Sequence, residues 1–254
     1  NITISENQGY GLKFIYDGYF KNCTFRDLNI TVPETDPQWV EDISVELWNF
    51  GNNNRLYNVI CNTWISLVNH GGGPFTNATS AGQYLKVYGI RMIDGNASSS
   101  KEAVECALQG VEIYNSYFQN KGFGVAIWDA GRNHITIRNC TFYNTVNQSS
   151  WASGAVYIDN STSNQFNNIN IYNNIFDTQN NAVNIKTTGS GSVNGVNIKN
   201  NAFLNSVNAN LNTSGAGISN IVFTHNLRNS GTWSIIGATT NSNNVVGTPG
   251  YQNT

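Results

Sequence analysis

The sequence predicts an all-β solenoid in which short strands stack as about eight coils along one axis. A pattern of apolar–x–apolar–x–Asn, followed three residues later by Phe, recurs at 111–118, 135–142, 169–176 and 196–203. Its apolar residues alternate with a period of two, which indicates strands. No segment of useful length has helical periodicity, so a fold of alternating strands and helices is excluded.

Each copy of the repeat is centred on one residue that is expected to form a bend. These residues are Asn22, Asn58, Gly89, Asn115, Asn139, Asn173, Asn200 and His225. Their spacing of 24 to 36 residues fits a coil of fixed circumference that carries loop insertions. Asn tolerates the left-handed backbone conformation that a sharp bend needs. We predict that the stacked amides form a hydrogen-bonded ladder and that the Phe three positions later fills the interior.

A second strand follows each bend at a variable distance. The aligned segments are 45–49, 65–69, 104–108, 125–129, 156–160 and 183–187. Their first and third residues are apolar in nearly every copy, which predicts that these side chains point inward and that the second and fourth face solvent. The coils therefore form parallel sheets, and eight of them at a rise of roughly 4.8 Å give a rod of about 40 Å.

The bends, of which 171–176 is an example, resemble those of the pectate-lyase-like superfamily of right-handed parallel β-helix proteins. The resemblance covers about residues 12–236 and implies that fold, with the second-strand sheet as the floor of a glycan groove. The superfamily includes lyases, hydrolases, epimerases, viral spikes and adhesins, so the fold alone selects no activity. Continuous repeats predict one domain over 1–254, which stands alone or forms a segment of a longer or polymeric protein.

Composition narrows the choice of partner and compartment. Charged residues make up 11% of the chain and the net charge is -2. The sequence shows no basic stripe, which argues against nucleic acid as a partner, and no apolar run long enough to span a membrane. The dominance of Asn, Gly, Ser and Thr predicts an extracellular or cell-surface protein. Because neither end has a capping helix, we expect flanking chain or self-association through the terminal coils.

The cysteines and the glycosylation sequons give weaker predictions. Cys23, Cys61, Cys106 and Cys140 are predicted to be mostly buried free thiols, and the redox compartment stays open. Cys23 and Cys140 occupy the same repeat position several coils apart, too far for a disulfide.

Nine Asn-x-Ser/Thr sequons occur, where about seven would arise by chance. The candidate glycosylation sites are those in inserted loops, Asn77, Asn96 and Asn147.

Three insertions predict a wall beside the second-strand sheet, because 31–42, 93–103 and 144–153 all precede a second strand. A fourth, 70–84, leaves from the opposite edge. Aromatic side chains beside polar groups suit a sugar ring, which has an apolar face and hydroxyl groups. The candidate substrate-binding residues are Trp48, Trp128, Trp151, Glu46, Glu105 and Asn184.

The candidate catalytic residues are Lys186, Tyr157 and Asp159. Asp159 and Lys186 share one outward column with Trp128, and Tyr157 lies beside them. A polysaccharide lyase could use Lys186 or Tyr157 as base, with nearby carboxylates neutralising a uronate alone or through Ca²⁺. The structural alternative is an ordinary cross-strand ion pair between Asp159 and Lys186.

Glu46 and Glu105 offer a different chemistry. They are separated by one coil, so their distance of about 10 Å is near the range for inverting glycoside hydrolysis. The alternative is that both are solvated acids. The polygalacturonase pattern and the pectate-lyase Arg signature are absent, and His70, His134 and His225 form no evident metal triad. No cofactor is predicted unless the lyase mechanism requires Ca²⁺.

Two functions remain open, and the sequence leaves enzyme activity undecided. The first is an extracellular or surface module with a structural or adhesive role, glycan-binding or filament-forming. The second is a lyase or glycoside hydrolase that acts on an acidic polysaccharide in the groove. Sparse charge and missing catalytic signatures favour the first.

Overall fold

Strands make up all the regular secondary structure in the residues that the structure describes. The computed structural model describes residues 2–5, 12–14, 20–32, 43–68, 78–93, 102–119, 123–128, 133–145, 154–161, 165–178, 181–206, 209–234 and 239–247. In chain order the strands are β1 (Ile2–Ser5), β2 (Leu12–Phe14), β3 (Thr24–Thr31), β4 (Ile43–Trp48), β5 (Asn54–Cys61), β6 (Trp64–Val68), β7 (Leu85–Met92), β8 (Glu102–Ala107), β9 (Val111–Tyr114), β10 (Tyr117–Gln119), β11 (Phe123–Ile127), β12 (Asn133–Arg138), β13 (Thr141–Thr145), β14 (Gly154–Asn160), β15 (Gln165–Tyr172), β16 (Ile175–Thr178), β17 (Val183–Thr187), β18 (Ser192–Lys199), β19 (Ala202–Leu204), β20 (Ala209–Ser214), β21 (Ile218–Thr224), β22 (Leu227–Arg228), β23 (Thr232–Ser234), β24 (Thr239–Ser242) and β25 (Val245–Val246).

The strands form two parallel sheets that the chain visits in alternation. The short sheet has the order β2-β4-β6-β8-β11-β14-β17-β20-β23, and the remaining described strands form the long sheet. In the long sheet each later coil contributes two strands separated by a bend, for example β12 and β13. The chain is thus a right-handed parallel β-helix, as the sequence predicts, with the handedness that parallel crossovers adopt. The number of coils stays a prediction. Within the described ranges, no helix is long and apolar enough to cross a membrane.

The predicted alignment of the second strands is confirmed residue by residue. The inward ladder of the short sheet runs through Val45, Ile65, Val104, Val125, Val156 and Val183. All six side chains are buried in one hydrophobic cluster that extends from Leu28 to Phe223.

Phenylalanines fill the interior after each bend, as the repeat predicts. Phe142 stacks on Phe118 with ring centroids 5.3 Å apart, and Phe176 stacks on Phe142 at 5.0 Å. Phe203 continues the stack, 5.2 Å from Phe176. Each ring is fully buried, so the column forms a continuous aromatic spine inside the solenoid.

The bend residues adopt the left-handed conformation that the repeat predicts. Positive φ angles between 50° and 62° occur at Asn58, Gly89, Asn115, Asn139, Asn173, Asn200 and His225. Asn22 also has a positive φ, of 55°, but its predicted alignment is wrong, because the residue that precedes Asn58 in this column is Asp27. Asp27 has a φ of 56°; Asp tolerates this region as Asn does, and a pattern built on Asn overlooks it.

The asparagine ladder lies one residue after its predicted position. Nδ2 of Asn174 donates to Oδ1 of Asn201 at 3.1 Å, and Nδ2 of Asn201 donates to Oδ1 of Asn226 at 3.1 Å. These three side chains are buried, whereas the bend residues before them are exposed. The bend residue turns its side chain to solvent, and the following residue turns inward, where its amide must be satisfied by protein groups.

All four cysteines are free. Cys61, Cys106 and Cys140 are buried and Cys23 is partly exposed, in agreement with the prediction of mostly buried thiols. Cys140 occupies the ladder position of its coil, where its backbone N–H donates to Oδ1 of Asn174 at 2.9 Å. Burial raises the pKa of the Cys140 thiol to about 12. Self-association through the terminal coils stays a prediction.

Candidate functional site

The outer face of the short sheet presents two columns of side chains, which match the predicted groove floor. The glutamate column consists of Glu46, Ser66, Glu105, Ala126, Tyr157 and Asn184, each in register with the next. The tryptophan column consists of Trp48, Val68, Ala107, Trp128, Asp159 and Lys186. Trp128 belongs there because it follows Ile127, which pairs with Cys106 and Ile158.

The two columns differ in exposure, and the prediction that both face solvent is wrong. Tyr157 is 0% exposed, and Glu46 and Asn184 are also buried. Trp48 and Trp128 are half-buried, as are Asp159 and Lys186 in the same column. Strand alternation correctly gives the side of the sheet on which a side chain lies, but it does not report what covers that side. Val68 and Ala107 of the tryptophan column are also buried, and Glu105 of the glutamate column is half-buried. The more accessible residues of the floor are therefore the two tryptophans, Glu105, Asp159 and Lys186.

Carboxylates of the glutamate column fix the two indole rings. Trp48 Nε1 donates to Glu46 Oε1 at 3.0 Å, and Trp128 Nε1 donates to Glu105 Oε1 at 3.0 Å. The other oxygen of Glu105 accepts a hydrogen bond of 2.6 Å from Ser66 Oγ. Hydrogen bonds to an ionised carboxylate are stronger than those between neutral groups. The indoles are consequently held in place without a bound ligand.

Tyr157 and Asp159 contact each other in a way that bears on the predicted lyase chemistry. The Tyr157 hydroxyl donates to Asp159 Oδ2 at 2.6 Å. Burial, followed by the hydrogen bond and the negative charge of Asp159, raises the pKa of Tyr157 far above its usual range. A base must lose its proton near the working pH, so the geometry opposes Tyr157 in that role. Lys186 pairs with Asp159 in the ladder, as predicted.

Phe123 belongs to this face, although alternation with Val125 and Ile127 predicts that it points inward. A Cβ atom on Gly124 would lie 2.2 Å from Phe142 Cδ1, so Gly124 and Val125 both face the core. Because two consecutive residues face inward, the alternation shifts by one residue, and the Phe123 side chain points outward. Its ring packs against Tyr157 with centroids 5.5 Å apart, and Trp128 completes a small apolar cluster outside the solenoid. The signal for this arrangement was the glycine directly before Val125.

The remaining predicted residues lie outside the described part of the chain or in the buried column. Trp151 and the glycosylation candidates Asn77, Asn96 and Asn147 lie outside the described residues. Asn184 lies in the buried column, where its Oδ1 accepts a hydrogen bond of 3.0 Å from Asn212. In the described part of the chain, no group of three or more His, Cys, Asp and Glu residues could hold a metal ion. A role for Ca²⁺ stays a prediction.

The long sheet carries an outward column that sequence reasoning missed. It runs without interruption through Arg26, Tyr57, Tyr88, Tyr114, Arg138, Tyr172 and Lys199. The rings of Tyr57 and Tyr88 stack with centroids 4.8 Å apart, as do those of Tyr88 and Tyr114. The signal was present in the repeat, where Tyr directly precedes the bend residue in four copies. We call this set the arginine–tyrosine column.

Comparison with known proteins adds one structural likeness. No family model matches the chain, and no curated protein sequence matches it. Among solved structures, the chain is similar to PfbA, a surface adhesin of Streptococcus pneumoniae, with 12% sequence identity and a TM-score of 0.44. The likeness covers 95% of this chain and 75% of that one.

Proposed function

We propose that the chain is a non-catalytic, carbohydrate-binding module of an extracellular or cell-surface protein. The observation that supports this most is the fixed pair of indoles, Trp48 on Glu46 and Trp128 on Glu105. The glycan lies along the tryptophan column and stacks the apolar faces of its sugar rings on these indoles. Because the rings are already held by hydrogen bonds, binding costs little side-chain entropy.

The residues around the indoles suit a short oligosaccharide. Val68 and Ala107 lie between Trp48 and Trp128 in two successive coils, so the indoles are three coil steps or about 14 Å apart. Beyond Trp128 the column continues with Asp159 and Lys186, whose polar groups can bond sugar hydroxyls. A few polar groups beside an apolar surface are typical of sites that bind small ligands.

The alternative of a lyase or hydrolase fits the contacts less well. Tyr157 is buried and its hydroxyl is already committed to Asp159. Both oxygens of Glu105 accept hydrogen bonds, from Ser66 and Trp128, which leaves this acid poorly placed to deliver a proton to a glycosidic oxygen. A role in anchoring indoles explains both contacts of Glu105 without a reaction.

Replacing Trp128 with alanine should weaken glycan binding by about tenfold or more, because the stacking surface is lost. Trp48→Ala should have a similar effect. The measurement is calorimetric titration with hits from a panel of neutral and acidic oligosaccharides. Tyr143→Ala is the matched control, since Tyr143 is 43% exposed on the other sheet; it should bind as the unmodified protein does. A Trp128→Ala variant of full affinity, or a panel without any bound glycan, contradicts the proposal.

A further inference from the structure

Basic residues are concentrated on seven strands of the long sheet. The strands β3, β5, β7, β9, β12, β15 and β18 carry Arg26, Arg55, Lys86, Arg91, Arg138 and Lys199. These are six of the thirteen Lys and Arg residues of the chain, whereas only Asp27 and Glu112 of its fifteen acidic residues lie on the same strands. The chain shows no basic stripe when read linearly, because these residues come from successive coils. The fold brings five of them together before the bend, in what we call the basic face: Arg26, Arg55, Lys86, Arg138 and Lys199. Arg91 follows the bend residue Gly89 and lies beyond this face.

Two of the cations have carboxylate partners on this face. Arg138 Nε lies 2.8 Å from Glu112 Oε1, and Arg26 Nε lies 3.6 Å from Asp27 Oδ2. Arg55 and Lys86 are exposed. In the described part of the chain, neither of these two forms an ion pair. The basic face consequently keeps a net positive charge on a protein whose overall charge is -2.

The register of the sheet sets like charges side by side. Arg55 is paired directly with Lys86 on the next coil, at a strand separation of about 4.8 Å. Like charges directly opposite each other in a sheet are destabilising. Glu112 follows Lys86 in the same ladder and attracts it, but Glu112 is also bonded to Arg138 and so offsets the charge of Lys86 only in part. An anionic ligand over Arg55 and Lys86 would relieve this repulsion.

The arginine–tyrosine column gives the basic face a rigid row of polar groups. Arg26 Nη1 donates to the Tyr57 hydroxyl at 3.2 Å, and the Arg138 guanidinium lies 4.3 Å from the centre of the Tyr114 ring. The faces of Tyr88 are covered by Tyr57 and Tyr114. The stacked rings therefore present edges and hydroxyl groups, repeated at the rise of the coil, rather than open faces.

We propose that the basic face is a second binding site, for a linear acidic polysaccharide that lies along the solenoid axis. Its carboxylate or sulfate groups contact Arg55 and Lys86, and its hydroxyls bond the tyrosine edges. A single-stranded nucleic acid is a poorer fit, because it needs open aromatic faces on which bases can stack. The site lies on the other sheet from the tryptophan column, so it does not rest on the proposed function.

The test is binding of the full chain to a sulfated glycosaminoglycan, a polyuronate, a neutral glucan and single-stranded DNA, at several salt concentrations. We expect binding of at least one acidic polysaccharide that weakens with salt, and none of the glucan. The double substitution Arg55→Gln with Lys86→Gln should reduce affinity about tenfold or more and flatten the salt dependence. Preference between the sulfated and carboxylated polymers identifies the anionic group.

The control is Lys21→Gln, which removes one exposed cation outside the basic face and should leave affinity within about twofold. Thermal melts establish that each variant is folded. Unchanged affinity in the double variant overturns the proposal, and so does the absence of binding to both acidic polysaccharides. Equal or tighter binding of DNA would overturn it in favour of a nucleic-acid site. Loss of binding on Trp128→Ala with full retention in the double variant would also overturn it, since it assigns the acidic glycan to the short sheet.

Discussion

Replacing Asn201 with alanine should lower the free energy of unfolding by about 2–5 kcal/mol. The Asn201 side chain is 2% exposed and makes bonds to both neighbouring coils. Toward the preceding coil, its Oδ1 accepts from the backbone N–H of Asn174 at 2.9 Å, and its Nδ2 donates to the Ile171 carbonyl at 3.0 Å. Toward the following coil, its Nδ2 donates to Asn226 Oδ1 at 3.1 Å. Alanine leaves these groups buried without partners, and each such group costs about 1–3 kcal/mol. The measurement is equilibrium unfolding in urea, followed by circular dichroism.

The preceding residue provides the matched control. Asn200 is exposed and has a φ of 56°, a conformation that glycine adopts readily. Asn200→Gly should therefore change stability by no more than about 0.5 kcal/mol. If Asn201→Ala were tolerated as well as Asn200→Gly, the buried ladder would not hold the coils together as described.

Phe176→Ala should cost about 3–5 kcal/mol, the range for removing a buried phenylalanine. Phe176 lies in the middle of the aromatic spine, between Phe142 and Phe203, with ring centroids 5.0 Å and 5.2 Å away. Rings on the coils to either side already pack against their own neighbours, so the surrounding structure can relax only partly into the space that the ring leaves. Urea unfolding of the variant measures the loss.

The neighbouring Ile175 tests whether position rather than hydrophobicity decides the outcome. Its side chain is 44% exposed on the outside of the same strand, so Ile175→Ala should cost less than about 1 kcal/mol. Similar losses for Phe176→Ala and Ile175→Ala would contradict the assignment of inward and outward residues in β16.

Local periodicity predicts those parts of the fold that depend on strand direction. The inward residues of the short sheet, such as Val125 and Val156, follow from alternation alone, and their register follows from aligning the copies. The sequence pattern places the asparagine ladder one residue too early. It shows adjacent asparagines, as at Asn200 and Asn201, without showing which side chain turns inward. The left-handed backbone at the first of them makes that difference.

The candidate site was only partly predictable, for a related reason. Register placed Asp159 beside Lys186 correctly, because it depends on the repeat. Tyr157 is covered in part by Phe123, which is distant from it in the sequence. A local sequence pattern therefore does not predict its burial. The linear sequence does not show the basic face, because Arg55 and Lys86 lie on successive coils and come side by side only in the folded solenoid. Alignment by coil, applied to charges as well as to apolar residues, would have found it.

The two outer faces differ in the chemistry that they offer. The short sheet holds indoles on carboxylates, as with Trp128 on Glu105, and suits the apolar faces of sugar rings. The long sheet presents cations such as Arg55 and suits anionic groups. A module with both faces could bind two glycans at once, and simultaneous contacts strengthen attachment beyond either affinity alone.

The claim that the chain binds carbohydrate without transforming it is tested most directly by the fate of a bound glycan. An oligosaccharide that binds in the calorimetric panel is incubated with the protein at high concentration for a long period and then analysed by mass spectrometry. We predict that it is recovered intact, with the same mass and the same reducing end. Shortened or unsaturated products that disappear with Lys186→Ala or Glu105→Gln would contradict this claim and establish an enzyme.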